Sequence, residues 1–301
     1  AIAGVVAGFT TCVTTHPLDV VKTRFQVQDG RMSHVPKYSG TLQALLSIAR
    51  TEGVTTLYAG LAPNLVGSTV SWGCYFYGYN YLRGIARKRE SYVDARGQLG
   101  PGVNMLCATC AGVSTCLATN PIWLVKTRLQ LQDGTDRKLK GMVHVLRHVV
   151  REEGVMGLYN GIIPSLLLVS HGALQFMCYE EIKKLFQVYA NNGEEHLSTF
   201  QTFFTGASAK VFASVATYPS QVVRARLQQV DPNWVKSQRA SQPVRERYYK
   251  GTVDVIQKIL RHEGPAGFYK GLVPNLLRVV PSAAITFVVY EKVAKFLGAK
   301  T

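Results

Sequence analysis

Acid is scarce in this sequence. Eighteen Asp and Glu stand against 34 Lys and Arg, a formal charge of +16, and only 17% of residues are charged at all. An average soluble domain carries about 25%. A cationic surplus of this kind suits an anionic partner: nucleic acid, an anionic membrane surface or a small anion. Nucleic acid is disfavoured, because the basic residues are dispersed and no helix-turn-helix or RNA-reading motif accompanies them. A disulfide framework is missing too. The six cysteines mostly lie in apolar, helix-like runs and read as buried small hydrophobes. Cys107 and Cys110 spell CxxC without a second pair, so neither zinc nor redox chemistry gains support. No paired carboxylates, triad or metal-ligand cluster occurs at the spacing an enzyme needs. No cleavable leader is legible in the opening residues, which begin on Ala1.

Uniformly greasy helices are also absent. Apolar residues make up 47% of the chain, yet mean hydropathy is only +0.05. That suits membrane helices that each turn one polar face to a water-filled cavity.

What the sequence does have is repetition. "HPLDVVKTRFQVQ" from His16 returns as "NPIWLVKTRLQLQ" from Asn120 and "YPSQVVRARLQQ" from Tyr218. Pro17, Pro121 and Pro219 lie 104 and 98 residues apart. A second marker follows each: "EGVTTLYAG" from Glu52, "EGVMGLYNG" from Glu153 and "EGPAGFYKG" from Glu263. A third closes each unit: "YNYLR" from Tyr79, "YEEIK" from Tyr179 and "YEKVA" from Tyr290. The units are set at 1–92, 103–190 and 198–301.

Each unit reads as a long helix, a polar loop, a short amphipathic helix and a second long helix. Gly4 and Gly8 have the spacing that lets membrane helices approach closely. "TLQALLSIARTEG" has helical periodicity and ends on a helix stop, and "PNLVGSTVSWGCYFYGYNYL" reaches the roughly 20 residues a bilayer requires. Polar loops are expected at 29–37, 133–140 and 231–247. The expected fold is an all-α membrane protein, three tandem repeats sharing one core.

Pro-x-acid-x-x-Lys/Arg-x-Lys/Arg, three times over, resembles the mitochondrial carrier family across essentially the whole chain. "PIWLVKTRLQLQ", "VSHGALQF", "YPSQVVRARLQ" and "GSTVSWGCYFYGYN" are similar to its folate/FAD branch. The resemblance implies six transmembrane helices around a central cavity, three short matrix-side helices and alternating access between charged gates. It implies a multi-pass protein of the mitochondrial inner membrane or, alternatively, a plastid envelope, working as a monomer. The cargo implied is folate or FAD, a small aromatic anion, with NAD or pyrimidine nucleotides as the alternative; neither is a cofactor. An enzyme or a membrane-bound scaffold is the rival class.

On an ideal helix Asp19, Lys22 and Gln26 fall within about 60° of one another. Lys126 and Gln130 share that stripe in the second repeat, and Gln221, Arg224 and Gln228 in the third. Arg24, Arg128 and Arg226 point elsewhere, toward helix-end carbonyls or the membrane surface. The family rule pairs each acid with the basic residue of the next repeat, braced by a Gln. It joins Asp19 to Lys126, Trp123 to Arg224 as a cation–π contact, and Gln221 to Lys22 as a hydrogen bond. Three cations then face one acid, which frees positive charge for an anion, while Trp123 offers a flat ring. At the other gate, Asn80, Glu180 and Glu291 take the acid positions and Arg83 and Lys183 the basic ones. There the rule makes only Glu291–Arg83 a full ion pair.

Where the repeats disagree, function is expected. Gly8 and Gly112 lie nine residues before their prolines, but the third repeat has Lys210 there. A lysine within a membrane helix is costly and marks a cavity ligand. The family's substrate contacts fall thirteen residues before the second gate's acids, here Gly67, Leu167 and Arg278. One turn on come Ser71, His171 and Ser282. Arg278 suits a carboxylate or phosphate because its planar fork binds bidentately; His171 offers a hydrogen bond or a pH-sensitive charge, and Leu167 an apolar wall. Tyr75, Tyr77 and Tyr79 read as packing aromatics. The resemblance also implies cardiolipin at the helix ends after Tyr58, Tyr159 and Tyr269. Ala59 and Asn160 replace the usual basic residue there, and only Lys270 keeps it.

Overall fold

The computed structural model describes residues 2–28, 38–89, 92, 99–132, 141–189, 198–229 and 249–296. The polar loops expected at 29–37, 133–140 and 231–247 lie outside the described residues. Ten α-helices are described: α1 (Ile2–Val27), α2 (Thr41–Thr51), α3 (Leu61–Arg87), α4 (Pro101–Gln130), α5 (Met142–Glu153), α6 (Ile162–Leu167), α7 (Ser170–Tyr189), α8 (Thr199–Gln228), α9 (Thr252–Glu263) and α10 (Leu272–Phe296). With α6 and α7 counted as one broken helix, six long helices and three short ones reproduce the repeat. Short 3-10 turns at Val54–Tyr58, Val155–Tyr159 and Pro265–Tyr269 join each short helix to the next long one.

Three stretches, Gly102–Gln130, Val155–Val188 and Pro265–Val293, are long and apolar enough to cross a membrane. α1 and α8, at 26 and 30 residues, also have the length to cross but carry polar side chains of the cavity wall. The most extensive helix packing runs between repeats: α1 on α10, α3 on α4, α7 on α8. First and last helix therefore meet, and the bundle closes into a ring.

Pro17, Pro121 and Pro219 sit inside α1, α4 and α8. A proline there removes an N–H and crowds the carbonyl four residues back, which bends a helix. Two residues before each proline is a threonine whose hydroxyl donates to its own i−4 carbonyl at 2.8 Å: Thr15 to Thr11, Thr119 to Thr115, Thr217 to Ala213. Such back-bonding favours the same bend.

The short helices are bound by paired apolar residues at i and i+4. Ala44 and Ile48 pack on Val21, Val145 and Val149 on Leu124 and Val125, and Val255 and Ile259 on Val222 and Val223. Beneath them sit Arg24, Arg128 and Arg226, all fully buried. Each Nε donates to a helix-end carbonyl of a neighbouring repeat, that of Gln130, Gln228 or Gln26. The helix-end half of that expectation matches; the membrane surface does not. The charge of each is met by the glutamate of its own repeat, as Arg24–Glu52, Arg128–Glu153 and Arg226–Glu263.

Gly60, Gly161 and Gly271 start the second long helices at φ of +78°, +77° and +84°. A Cβ there would lie 3.1, 3.3 and 2.9 Å from the backbone oxygens of Lys126, Arg224 and Lys22. The end of one repeat is thus pressed against the backbone of an expected gate cation of another, where only glycine fits. The expected close approach at Gly4 and Gly8 is absent: a Cβ at either would meet nothing within 4 Å, and Gly8 lines the cavity. Among the cysteines only Cys107 is buried, and Cys12 lines the cavity, accepting from Asn64 Nδ2 at 3.0 Å.

Candidate functional site

A cavity of about 730 Å³ runs down the ring axis. At its closed end the first long helices of the repeats converge. Asp19 is the acid there. Its Oδ2 is 2.7 Å from Lys126 Nζ and accepts from Gln130 Nε2 at 3.1 Å, while its Oδ1 is 3.0 Å from Arg278 Nη1. Thr23 Oγ1 lies 2.8 Å from Gln130 Oε1 and 2.9 Å from Asp19 O, and shares its one proton between these acceptors. Lys22 Nζ donates to Gln221 Oε1 at 3.0 Å. Of the three contacts the repeat rule joins, Asp19–Lys126 and Lys22–Gln221 are made.

The third is different. The cation over the Trp123 ring is Lys126, 5.3 Å from its centroid and one turn along the same helix, rather than Arg224. Arg224 has no carboxylate or hydrogen-bond partner among the described residues. The brace below it is incomplete: Thr127 Oγ1 lies 3.0 Å from both Gln228 Oε1 and Trp123 O, and Gln228 Nε2 is buried without a partner among the described residues.

At the other end no ion pair crosses between repeats among the described residues. Glu291 pairs with Lys295 at 2.5 Å on its own helix, and Arg83 lies over the Tyr79 ring at 5.3 Å. The expected Glu291–Arg83 pair is not made in this conformation, and Asn80, Glu180 and Lys183 form no bridge among the described residues. The side chains expected at the second gate are apart, while most of those expected at the first are in contact.

The wall between them carries five cations, Lys22, Lys126, Lys210, Arg224 and Arg278, against the one carboxylate of Asp19. Lys210 lines it without an ion pair or hydrogen bond among the described residues. Arg278 lines it too, but its guanidinium is engaged with Asp19 instead of standing free for a ligand. His171 Nδ1 is 2.9 Å from Thr217 Oγ1, whose proton goes to Ala213 O; Nδ1 is then the donor and Nε2 the open acceptor.

Two expected wall residues are elsewhere. Leu167 is 59% exposed and off the cavity, and Leu168 lines it instead. Counting back thirteen residues assumes one continuous helix, but the backbone tightens between α6 and α7, where Val169 N bonds Leu166 O and His171 N bonds Leu168 O. Three-residue turns shift the face. Ser71 is also off the cavity, its hydroxyl buried without a partner among the described residues, while Ser68 and Trp72 line it. Gly67 faces Trp123, whose ring a Cβ there would meet at 3.6 Å. Trp72 was missed. It stacks on Phe76 with centroids 5.5 Å apart, and its position beside Ser71 on α3 was the available signal.

The mitochondrial carrier protein family matches residues 1–90, 97–190 and 195–301. A chloroplastic folate transporter of Arabidopsis thaliana is 45% identical over 99% of this chain and 94% of its own length. A mitochondrial nicotinamide adenine dinucleotide transporter of the same plant is 38% identical, over 98% of this chain and 78% of its own. Its chloroplastic counterpart is 37% identical, over 99% and 91%.

Proposed function

This chain belongs to the mitochondrial carrier family, and from that premise we propose that it carries folate or FAD across an organelle inner membrane by alternating access. The observation that carries the reading is the cavity wall: five cations against one carboxylate, with Trp72 and Trp123 beside them. Folate and FAD each join a fused nitrogen ring to an anionic arm, which matches aromatic faces and surplus charge in one chamber. A volume of about 730 Å³ lies within the roughly 300–1,000 Å³ of small-ligand sites. The 45% identity to a folate transporter supports this cargo. NAD or another nucleotide is the second reading, favoured by the two dinucleotide transporters at 38% and 37%.

In our reading the end closed by Asp19 is the matrix gate, and the open end faces the cytosol. The protein works as a monomer, in the mitochondrial inner membrane or a plastid envelope. Cardiolipin is the lipid we assign to the helix ends, with the groove formed by Tyr58, Gly60, Leu129 and Met142 as one seat. Lys270, the one basic residue kept there, is bound to Glu263 at 2.6 Å and Gln28 O at 2.8 Å, so the lipid contact rests on backbone N–H groups.

Thermal shift of the purified protein against folate, FAD, FMN, NAD and nucleotides tests the cargo, because a ligand bound to the folded state raises Tm. Uptake into proteoliposomes tests the activity. Folate or FAD should stabilise the protein and arrive chemically unchanged. Stabilisation by NAD alone favours the second reading, cargo altered in transit makes it an enzyme, and binding without movement makes it a scaffold.

A further inference from the structure

The three repeats serve as controls for one another. In the first, a carboxylate is held by a cation of the next repeat and by an amide: Asp19 takes Lys126 at 2.7 Å and Gln130 Nε2 at 3.1 Å, and Thr23 Oγ1 lies 2.8 Å from Gln130 Oε1. The next position has the same donors and no acid. Thr127 Oγ1 lies 3.0 Å from both Gln228 Oε1 and Trp123 O and shares its one proton between them, and neither Gln228 Nε2 nor Arg224 has an acceptor among the described residues. Trp123 stands where the acid would be. Trp123, Thr127, Arg224 and Gln228 all line the cavity, with Gln228 at its buried floor. Gln228 is 1% exposed, and a buried donor left unmatched costs free energy.

We propose that the anionic group of the cargo, a carboxylate or phosphate, docks between Arg224 and Gln228 Nε2 and acts as the missing gate acid. This rests on the reading of the cavity as an anion carrier's. The floor is then a binding site as well as a barrier, and Gln228, with Thr127 positioning it, is a specificity-determining residue. A neutral solute leaves both donors unmatched, so the site selects for charge. Trp123 is then not filler: it withholds the protein's own carboxylate from the socket and presents a ring beside it.

The test is a binding series on the full chain in detergent, read by thermal shift, with inorganic phosphate, folate and FAD as probes. Parent and Trp123→Phe should respond to phosphate and to at least one organic anion. Trp123→Asp puts the protein's own acid in the socket and should weaken each response at least tenfold. Gln228→Met should weaken the parent's binding about tenfold, the loss of one charge-assisted hydrogen bond. In the Trp123→Asp background the same change should leave ligand affinity unaltered, since the inserted carboxylate already occupies the amide. A glutamine that only braces the bundle would lower Tm in both backgrounds and leave affinity at the parent's value. That result overturns the proposal, as does Trp123→Asp binding phosphate like the parent, or a parent that responds to none of the probes. If phosphate follows the pattern while folate and FAD do not bind, the socket stands and the cargo assignment falls.

Discussion

Asp19→Asn puts the closed gate under the greatest strain. The carboxylate gathers Lys126 at 2.7 Å, Arg278 at 3.0 Å and Gln130 Nε2 at 3.1 Å, with its side chain 7% exposed. Asparagine removes the charge and turns one of two acceptors into a donor that must face a cation or an amide. Removing one partner of a buried pair costs about 3–5 kcal/mol. Lys126 and Arg278 are 14% and 32% exposed, so water relieves part of the loss and the lower end applies. For chains of 150–250 residues each kcal/mol moves Tm by about 2–4 °C, and by less in longer ones, so a drop of about 6 °C is expected. Membrane proteins commonly unfold irreversibly, so parent and variant must be scanned at one rate. A second sign accompanies the first. With Asp19 neutral, five cations face no carboxylate, and an anionic ligand should raise the variant's Tm by more than the parent's. A Tm within about 1 °C of the parent, or a smaller ligand response, refutes the view that this acid holds the gate.

Three further perturbations probe separate parts of the argument. Lys210 has no partner among the described residues, so Lys210→Ala should leave stability within about 0.5 kcal/mol and weaken uptake affinity roughly ten- to hundredfold; an unchanged affinity removes it from the site. Burial pushes the Glu263 carboxyl up, but its bonds to Arg226 and Lys270 outweigh that and hold it below the usual range. A depressed folded pKa gives stabilisation that is full above the unfolded value, about 4.3, and is lost as pH falls through the lower folded value. The parent's Tm should therefore fall more steeply below about pH 4.3 than that of Glu263→Gln, itself less stable at pH 7; parallel curves would contradict the pairing. Gly161→Ala and Gly141→Ala share positive φ, at +77° and +85°, but only the former meets a neighbour, with Arg224 O at 3.3 Å and Gln228 Cγ at 3.2 Å. Both should lose the left-handed cost of about 1–2 kcal/mol, and Gly161→Ala more; equal losses would deny the close packing between repeats.

The repeat made the architecture legible, because each marker does a structural job three times. The prolines bend the first long helices, the Glu of each Glu-Gly meets the arginine above it, and the closing glycine presses on a gate carbonyl. The closed gate was legible for a related reason: a stripe at i, i+3 and i+7 depends only on helix geometry. Readings that needed more than one continuous helix did worse. Leu167 failed because α6 and α7 are joined by three-residue turns, and Ser71 failed by a single position, where Trp72 takes the wall. Periodicity shows which way Arg128 points but not that Glu153, across a loop, is waiting for it. Gly4 and Gly8 misled because small residues suit a cavity wall as well as a helix contact. For Trp123 the nearer cation prevailed: Lys126 is on the next turn, and Arg224 is on another helix.

The shortage of acid ends by concentrating the gate on one residue. A ring of three alternating pairs would share the closing force among three carboxylates, each replaceable in part by the others. Here Asp19 of the first repeat draws on Lys126 and Gln130 of the second and Arg278 of the third, so one carboxylate joins all three repeats. Lys22–Gln221, a single hydrogen bond to a neutral amide at 3.0 Å, is the weaker companion. Arg278 belongs to the cavity wall as well as to this hub. An anion that competes for its guanidinium draws from the same charge that holds Asp19, so occupancy above and closure below are coupled through one side chain. Arg278→Ala is for that reason a poor measure of binding. It removes a cavity cation and a gate contact together, and its loss of uptake cannot be divided between them. Lys210→Ala, which touches only the cavity, can be read as binding, and the difference between the two variants measures how much of Arg278 belongs to the gate.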